Sequence, residues 1–239
     1  MSGHSKWAQI KRSKGVLDQK RGLLFSKLGK KISIAVKEGG SSDPDANYKL
    51  KAAVEYAKDQ GMPNDNIHRV IKAGAGGGAA ELKEVIYEGY GPFGTAFLVE
   101  AATDNTNRTT NNIKYLFSKH GGNLGSQGSV AWQFVTKGQI LVERDRADLS
   151  DLELAAIDAG AEDVRESEEG LEIYTLPLDL QQIKEALVKA GGKVARADII
   201  KESSQGVNLA DEQKPKVDAL FAELENDEDV INVHTSANL

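Results

Sequence analysis

The chain has 239 residues, 40 % of them hydrophobic and 28 % charged, and a net charge of −6 with the histidines neutral. That composition fits a packed globular protein of one to three domains rather than a disordered chain. There is no cysteine, which excludes disulfides, thiolate chemistry and cysteine-ligated metals. No stretch of eighteen apolar residues and no apolar leader core occur, so a soluble, cytosolic protein without a membrane span is expected.

The charge is polarised. Residues 1–37 hold ten Lys/Arg and one acid, a balance of +9, so the remaining residues carry −15. A cationic end on an anionic body suits a polyanionic partner, DNA or RNA. Residues 2–15 are small, polar and basic without apolar periodicity, which predicts an arm bearing Lys6, Trp7, Lys11, Arg12 and Lys14. For Trp7 two readings stand open: stacking on a base or ribose, and packing the arm onto the protein body.

From Val16 to Lys37 the pattern becomes helical. Leu17, Leu24, Leu28, Ile32 and Ala35 form one stripe, flanked by Phe25 and Val36, at the 100° per residue of an α-helix. Lys20, Lys27 and Lys31 fall on a neighbouring face, with Lys30 and Lys37 beyond and Leu23 and Ile34 interrupting. Lysines commonly line a solvated helix face; here their concentration in an acidic protein favours phosphate contacts by Lys6, Lys11, Arg12, Lys14, Lys20, Arg21, Lys27, Lys30 and Lys31. Such contacts position a protein on a backbone without specifying sequence.

A turn at 38–42 leads to Asp43-Pro44, which predicts a helix start, with Leu50, Ala53, Val54 and Ala57 inward and Gly61 as the stop. Pro63-Asn64 opens a third, short helix to Ala73, and the glycine-rich 73–80 reads as a linker. A phosphate cradle there is disfavoured, because no strand precedes it and no Gly-Lys-Ser/Thr follows. Strands are predicted at 85–90 and 95–102. The intervening GYGPFG matches G-x-G-x-x-G only in letters, since it contains a proline and leads into a strand. A helix over 106–120 with Ile113, Leu116 and Phe117 inward is followed by a strand over 130–135, with Trp132 and Phe134 assigned to the core.

Residues 139–143, 149–159, 163–167, 171–175, 178–190 and 194–200 then read as βαββαβ, the ferredoxin-like unit. The flanking elements 95–102, 106–120, 130–135, 206–209, 211–226 and 230–235 read the same way. The expected fold is α+β: an N-terminal helical domain followed by two ferredoxin-like α/β domains, the third inserted into the second. The expected boundaries are 1–79, 80–136 plus 204–239, and 137–203.

Catalytic signals are lacking. The four histidines are scattered without metal-ligand spacing, no G-x-S-x-G occurs, and carboxylates are too plentiful to single out a pair. No enzyme, cofactor, metal or small-molecule substrate is expected. Two segments carry open alternatives. Thr103–Thr110 is dense in hydrogen-bonding groups, either as capping chemistry or as an anion site at a helix start with Arg108 as its charge. The acids Glu223, Glu225, Asp227, Glu228 and Asp229 form either a solvated helix end or a docking face for a basic partner protein.

Three stretches, GHSKWAQIKRSK (3–14), GYGPFGTAFLVEAATDNTNRT (89–109) and GGNLGSQGSVAWQF (121–134), resemble the YebC/PmpR family over essentially the full length. That family includes probable bacterial transcriptional regulators and a mitochondrial activator of cytochrome oxidase subunit I translation. The resemblance implies three domains, the third inserted in the second, and a non-enzymatic role: DNA binding in some members, ribosome or mRNA association in others. Gly15-Val16-Leu17 and Gly29-Lys30-Lys31 depart from the usual pattern. A nucleic-acid-binding monomer regulating gene expression is expected, first as a DNA-binding transcriptional regulator and alternatively as a ribosome-associated translation factor.

Overall fold

The computed structural model describes residues 18–76, 82–144 and 148–238, with side chains from Arg21 onward. Three helices form the first unit: α1 (Asp18–Gly39), α2 (Tyr48–Asp59) and α3 (Asn64–Gly76). The predicted stripe of α1 supplies its core, where Leu28, Ile32, Ala35 and Val36 meet Leu50, Ala53, Val54, Ala57 and Ile67. The α2 helix starts later than Pro44 suggests. Asp43 closes a turn on the Asp45 N–H, and buried Asn47 is the cap. Its Oδ1 accepts from Leu50 N at 3.1 Å, and its Nδ2 donates to Ala35 O at 2.8 Å. Gly61, at φ 76°, ends α2 in a Schellman turn, its N–H bonding Lys58 O and Met62 N bonding Ala57 O.

The second unit holds β1 (Lys83–Tyr90), β2 (Ala96–Thr103), α4 (Thr106–Lys119) and β3 (Asn123–Leu124) before the insertion. The third unit is β4 (Phe134–Glu143), α5 (Leu149–Asp158), β5 (Asp163–Glu166), β6 (Gly170–Thr175), α6 (Leu180–Lys189) and β7 (Val194–Ser203). The chain then returns through β8 (Val207–Asn208), α7 (Lys214–Asn226), β9 (Val230–Thr235) and β10 (Ala237–Asn238). The inserted sheet has the order β5-β6-β4-β7, that of a ferredoxin-like unit, and α5 and α6 cover its Ile140, Val142, Leu171 and Ile173 face.

The outer sheet has the order β3-β1-β2-β9, with every neighbouring pair antiparallel. The α4 and α7 helices pack on one face of it around Phe97, Ile113, Phe117, Leu220 and Phe221. Its layout is ferredoxin-like, but β1, which precedes the unit in sequence, fills the position expected for 206–209. That segment instead forms β8 and pairs in parallel with β10. The predicted strand 130–135 is also revised. Ala131–Gln133 is a single 3₁₀ turn, and the strands expected at 130–135 and 139–143 are one continuous strand, β4, from Phe134. Its first residue already pairs with Ser203, so β4 begins three residues ahead of the expected start of the inserted domain at 137, while β7 ends where that domain was expected to end.

The helical unit sits on both α/β units. Lys184 of α6 bonds Asp59 of α2 at 2.8 Å, and Lys37 donates to Leu82 O at 3.5 Å. Among the described residues no helix is long and apolar enough to cross a membrane.

Candidate nucleic-acid interface

The basic face of α1 is turned toward the acidic body. Lys27 Nζ donates to the Glu225 carbonyl. Lys30 Nζ donates to Glu228 O at 2.8 Å and to Asp229 Oδ1 at 3.0 Å. Lys31 Nζ lies 2.6 Å from both oxygens of Asp198, above the ring of Tyr56. Arg196 reaches the same carboxylate at 3.3 Å and the same ring. Lys27, Lys30 and Lys31, expected to hold phosphates, have protein acceptors in this structure: α1 is amphipathic in two directions, and its cationic face lies against the body. Burial pushes the Lys27 ammonium down to about 8, against the opposing pull of Glu225 and Asp227. Asp198 is buried, which by itself would raise its carboxyl, but the charges of Lys31 and Arg196 hold it below its ordinary value.

Arg108 also has a partner within the chain, although its side chain stays 56 % exposed. The start of α4 does bind an anion, and the anion is the protein's own Asp229. Its Oδ2 accepts from Thr109 Oγ1 at 2.7 Å, Arg108 Nη2 at 2.9 Å and Thr103 Oγ1 at 3.3 Å, while Lys30 holds Oδ1. Burial opposes ionisation, yet these donors, Arg108 first, bring Asp229 down to about 2. Capping is present too, since Asn105 Oδ1 accepts from Arg108 N. Asn112 bonds Asp227, and Lys119 bonds Glu223 at 2.6 Å. The acid run is therefore a docking face, and its basic partners are this chain's own α1 and α4.

Lys6, Trp7, Lys11, Arg12 and Lys14 lie outside the described residues, as does the side chain of Lys20 in the first turn of α1. Arg21 is exposed, its guanidinium 5.9 Å from the centre of the Phe25 ring. Two solvent-facing cations on the same unit were missed by the sequence reading. Arg69 and Lys72 of α3 face outward on one stripe with Asp65 and His68, and Arg69 donates to Asn66 Oδ1 at 3.1 Å. The signal was their spacing of three, seen against Ile67, Val70 and Ile71 on the inward side.

The 125–132 loop is rigidly held. The buried Glu88 carboxylate of β1 accepts from Gly128 N at 2.6 Å, Val130 N at 2.8 Å and Ala131 N at 2.7 Å. Those bonds hold its carboxyl low against burial. Ser129 O receives both Tyr90 OH and Trp132 Nε1. Trp132, expected in the core, is 64 % exposed; the loop turns it outward. The GPFG segment is a tight turn before a strand, with Phe93 at φ 62°, and has no helix start to receive a dinucleotide. At the seam between the helical unit and β1, partial burial and the hydrogen bond and charge of Glu38 push Glu84 up to about 7.

Fold and electrostatics together define a three-domain α+β protein with a basic helical head seated on an acidic α/β body. Family models agree with that division: a TACO1/YebC N-terminal domain matches residues 5–77, and a TACO1/YebC second and third domain matches residues 82–237. The chain belongs to the TACO1/YebC family. It is similar to a probable transcriptional regulatory protein of Thermoanaerobacter pseudethanolicus, at 48 % identity over all of this chain and 98 % of that protein. A protein of the same description from Deinococcus radiodurans is 49 % identical over 100 % and 98 % of the two chains. A crystal structure of a conserved hypothetical protein from Aquifex aeolicus superposes with a TM-score of 0.81 at 42 % identity, covering 93 % of this chain and 92 % of the other.

Proposed function

We propose that this protein is a cytoplasmic, monomeric, non-enzymatic regulator of gene expression that binds nucleic acid through its basic N-terminal end. The observation that carries the reading is charge placement. Residues 1–76 hold fifteen Lys/Arg against seven acids, whereas the remainder is strongly acidic. With Lys27, Lys30, Lys31 and Arg108 engaged by the body, the phosphate contacts fall to Lys6, Lys11, Arg12, Lys14, Lys20 and Arg21, joined by Arg69 and Lys72, with Trp7 as the aromatic residue for stacking on a base or ribose. The relatives' description as probable transcriptional regulatory proteins supports DNA as the first target.

A ribosome-associated role in translation is the alternative. It is favoured by the acidic body, which suits basic ribosomal proteins or keeps tRNA at a distance. Two measurements separate them. A DNase footprint confined to one promoter supports transcription; co-sedimentation with ribosomes at moderate salt supports translation. No binding to duplex DNA, structured RNA or ribosomes at low salt refutes both.

A further inference from the structure

The seam between the helical unit and the body differs in kind from the three cores. Inside the units the contacts are apolar. Across the seam charged side chains are prominent: Lys27 and Lys30 reach the 225–229 segment, Lys31 pairs with Asp198 and Lys184 with Asp59, beside an apolar contact of Ala52 with the core of the inserted domain. Polar seams of this kind permit domains to move apart. Two of the acceptors, the carbonyls of Glu225 and Glu228, are neutral. A phosphate oxygen is a better partner for an ammonium than a carbonyl is, because the bond is charge-assisted on both sides. Asp229 lies within a ring of donors, Lys30, Arg108, Thr103 and Thr109, a set that would hold a phosphate equally well.

We infer that the covered Lys27, Lys30 and Lys31, together with Arg108, half-exposed but held by Asp229, form a second site for a nucleic-acid backbone, kept closed by the 225–229 segment and Asp198 acting as internal phosphate substitutes. The arm makes the first contact. Phosphates following along α1 then displace the acidic segment, and the helical unit leaves the body as the second set of contacts forms. The number of phosphates held, and with it the salt dependence, is thereby set by a conformational change. At high ionic strength the closed form keeps its ion pairs at short range while the polyanion is screened. The inference rests on the nucleic-acid reading given above.

The chain has no cysteine, so a single pair can be introduced cleanly. Asp59→Cys with Lys184→Cys replaces an ion pair that spans the seam and includes none of the four cations. A short reversible bis-methanethiosulfonate bridges about the same reach as the lost lysine–aspartate pair. Binding of a fluorescent 30-base-pair duplex and a structured RNA is measured by anisotropy against salt, in the bridged and reduced forms. The bridged form is expected to bind more weakly at low salt, its log–log salt slope smaller by about 3–4 for four lost duplex contacts at roughly 0.9 each. Reductant restores both. X-ray scattering of the two complexes should show a larger radius of gyration for the reduced form than for the bridged form. A second variant, Asp229→Asn, removes the internal anion and should tighten binding. Equal affinity and slope in both forms, with the same radius of gyration for the bridged and reduced complexes, overturns the covered site and leaves the nucleic-acid reading standing. Absence of binding by reduced and wild-type protein alike overturns both.

Discussion

Replacing Asp198 by Asn tests whether the head is fixed to the body by buried charge. Asp198 is 2 % exposed, with Lys31 2.6 Å from each oxygen, Arg196 at 3.3 Å and its own neighbour's amide, Ile199 N, at 2.8 Å. An ion pair about 4 Å between charge centres is worth ~4 kcal/mol at an effective dielectric of about 20. Two such partners, less the desolvation that Asp198 no longer suffers, leave a loss of about 3–5 kcal/mol, the range for removing one member of a buried pair. Were the whole chain to unfold as one unit, that would lower the midpoint by about 6–20 °C at roughly 2–4 °C per kcal/mol. Because the pair spans a seam, part of the effect should appear as undocking, so calorimetry is to be combined with hydrogen exchange across α2 and β7. The pH dependence supplies a second check. A carboxyl held below its unfolded value contributes stability that is full above that value, near 3.9, and is lost as pH falls through the folded one. The gap between wild type and variant should therefore narrow below about pH 4. A midpoint within about 1 °C of wild type, or a gap unchanged at low pH, would refute the reasoning.

Further outcomes follow from other sites. Glu88→Gln replaces an acceptor of three backbone N–H groups with a group that is half donor; a loss of about 1–3 kcal/mol and faster exchange at Gly128, Val130 and Ala131 are expected in hydrogen-exchange mass spectrometry. Glu84→Gln should remove a pH dependence. With Glu84 raised to about 7 by burial and by Glu38, the folded state binds the extra proton, so wild-type stability declines as pH rises from about 4.5 to 7, and the variant's melting curve over that window should be flatter. Gly122→Ala places a Cβ 2.4 Å from Tyr90 O; backbone must shift, costing about 1–3 kcal/mol, and the β1–β3 pairing at Tyr90 and Asn123 should be the first to lose protection.

Much of the fold is written locally. The α1 stripe, the Gly61 and Gly121 stops, and the βαββαβ order of the insertion all follow from periods and turn residues, and each has its counterpart in the structure. What failed locally was decided at long range. Val130, Trp132 and Phe134 alternate like a strand, but Glu88, some forty residues earlier, captures the amides of Val130 and Ala131 and folds them into a turn. The basic face of α1 is legible as basic; that its partners are acids some 200 residues later is not. Both halves of that contact were visible in the sequence, the lysines and the run from Glu223 to Asp229, and only the pairing was hidden. Arg108 shows the same limit, since an anion-binding helix start was readable while the identity of the anion was not.

The most direct test of nucleic-acid binding by the N-terminal end is a salt titration. Lys6, Lys11, Arg12 and Lys14 are changed together to Gln, and duplex and RNA affinities are measured by anisotropy between about 50 and 200 mM salt. The account predicts weaker binding, a log–log slope reduced by about 3–4 on duplex, and an unaltered melting curve. An unchanged affinity and slope in a protein that melts normally would contradict it.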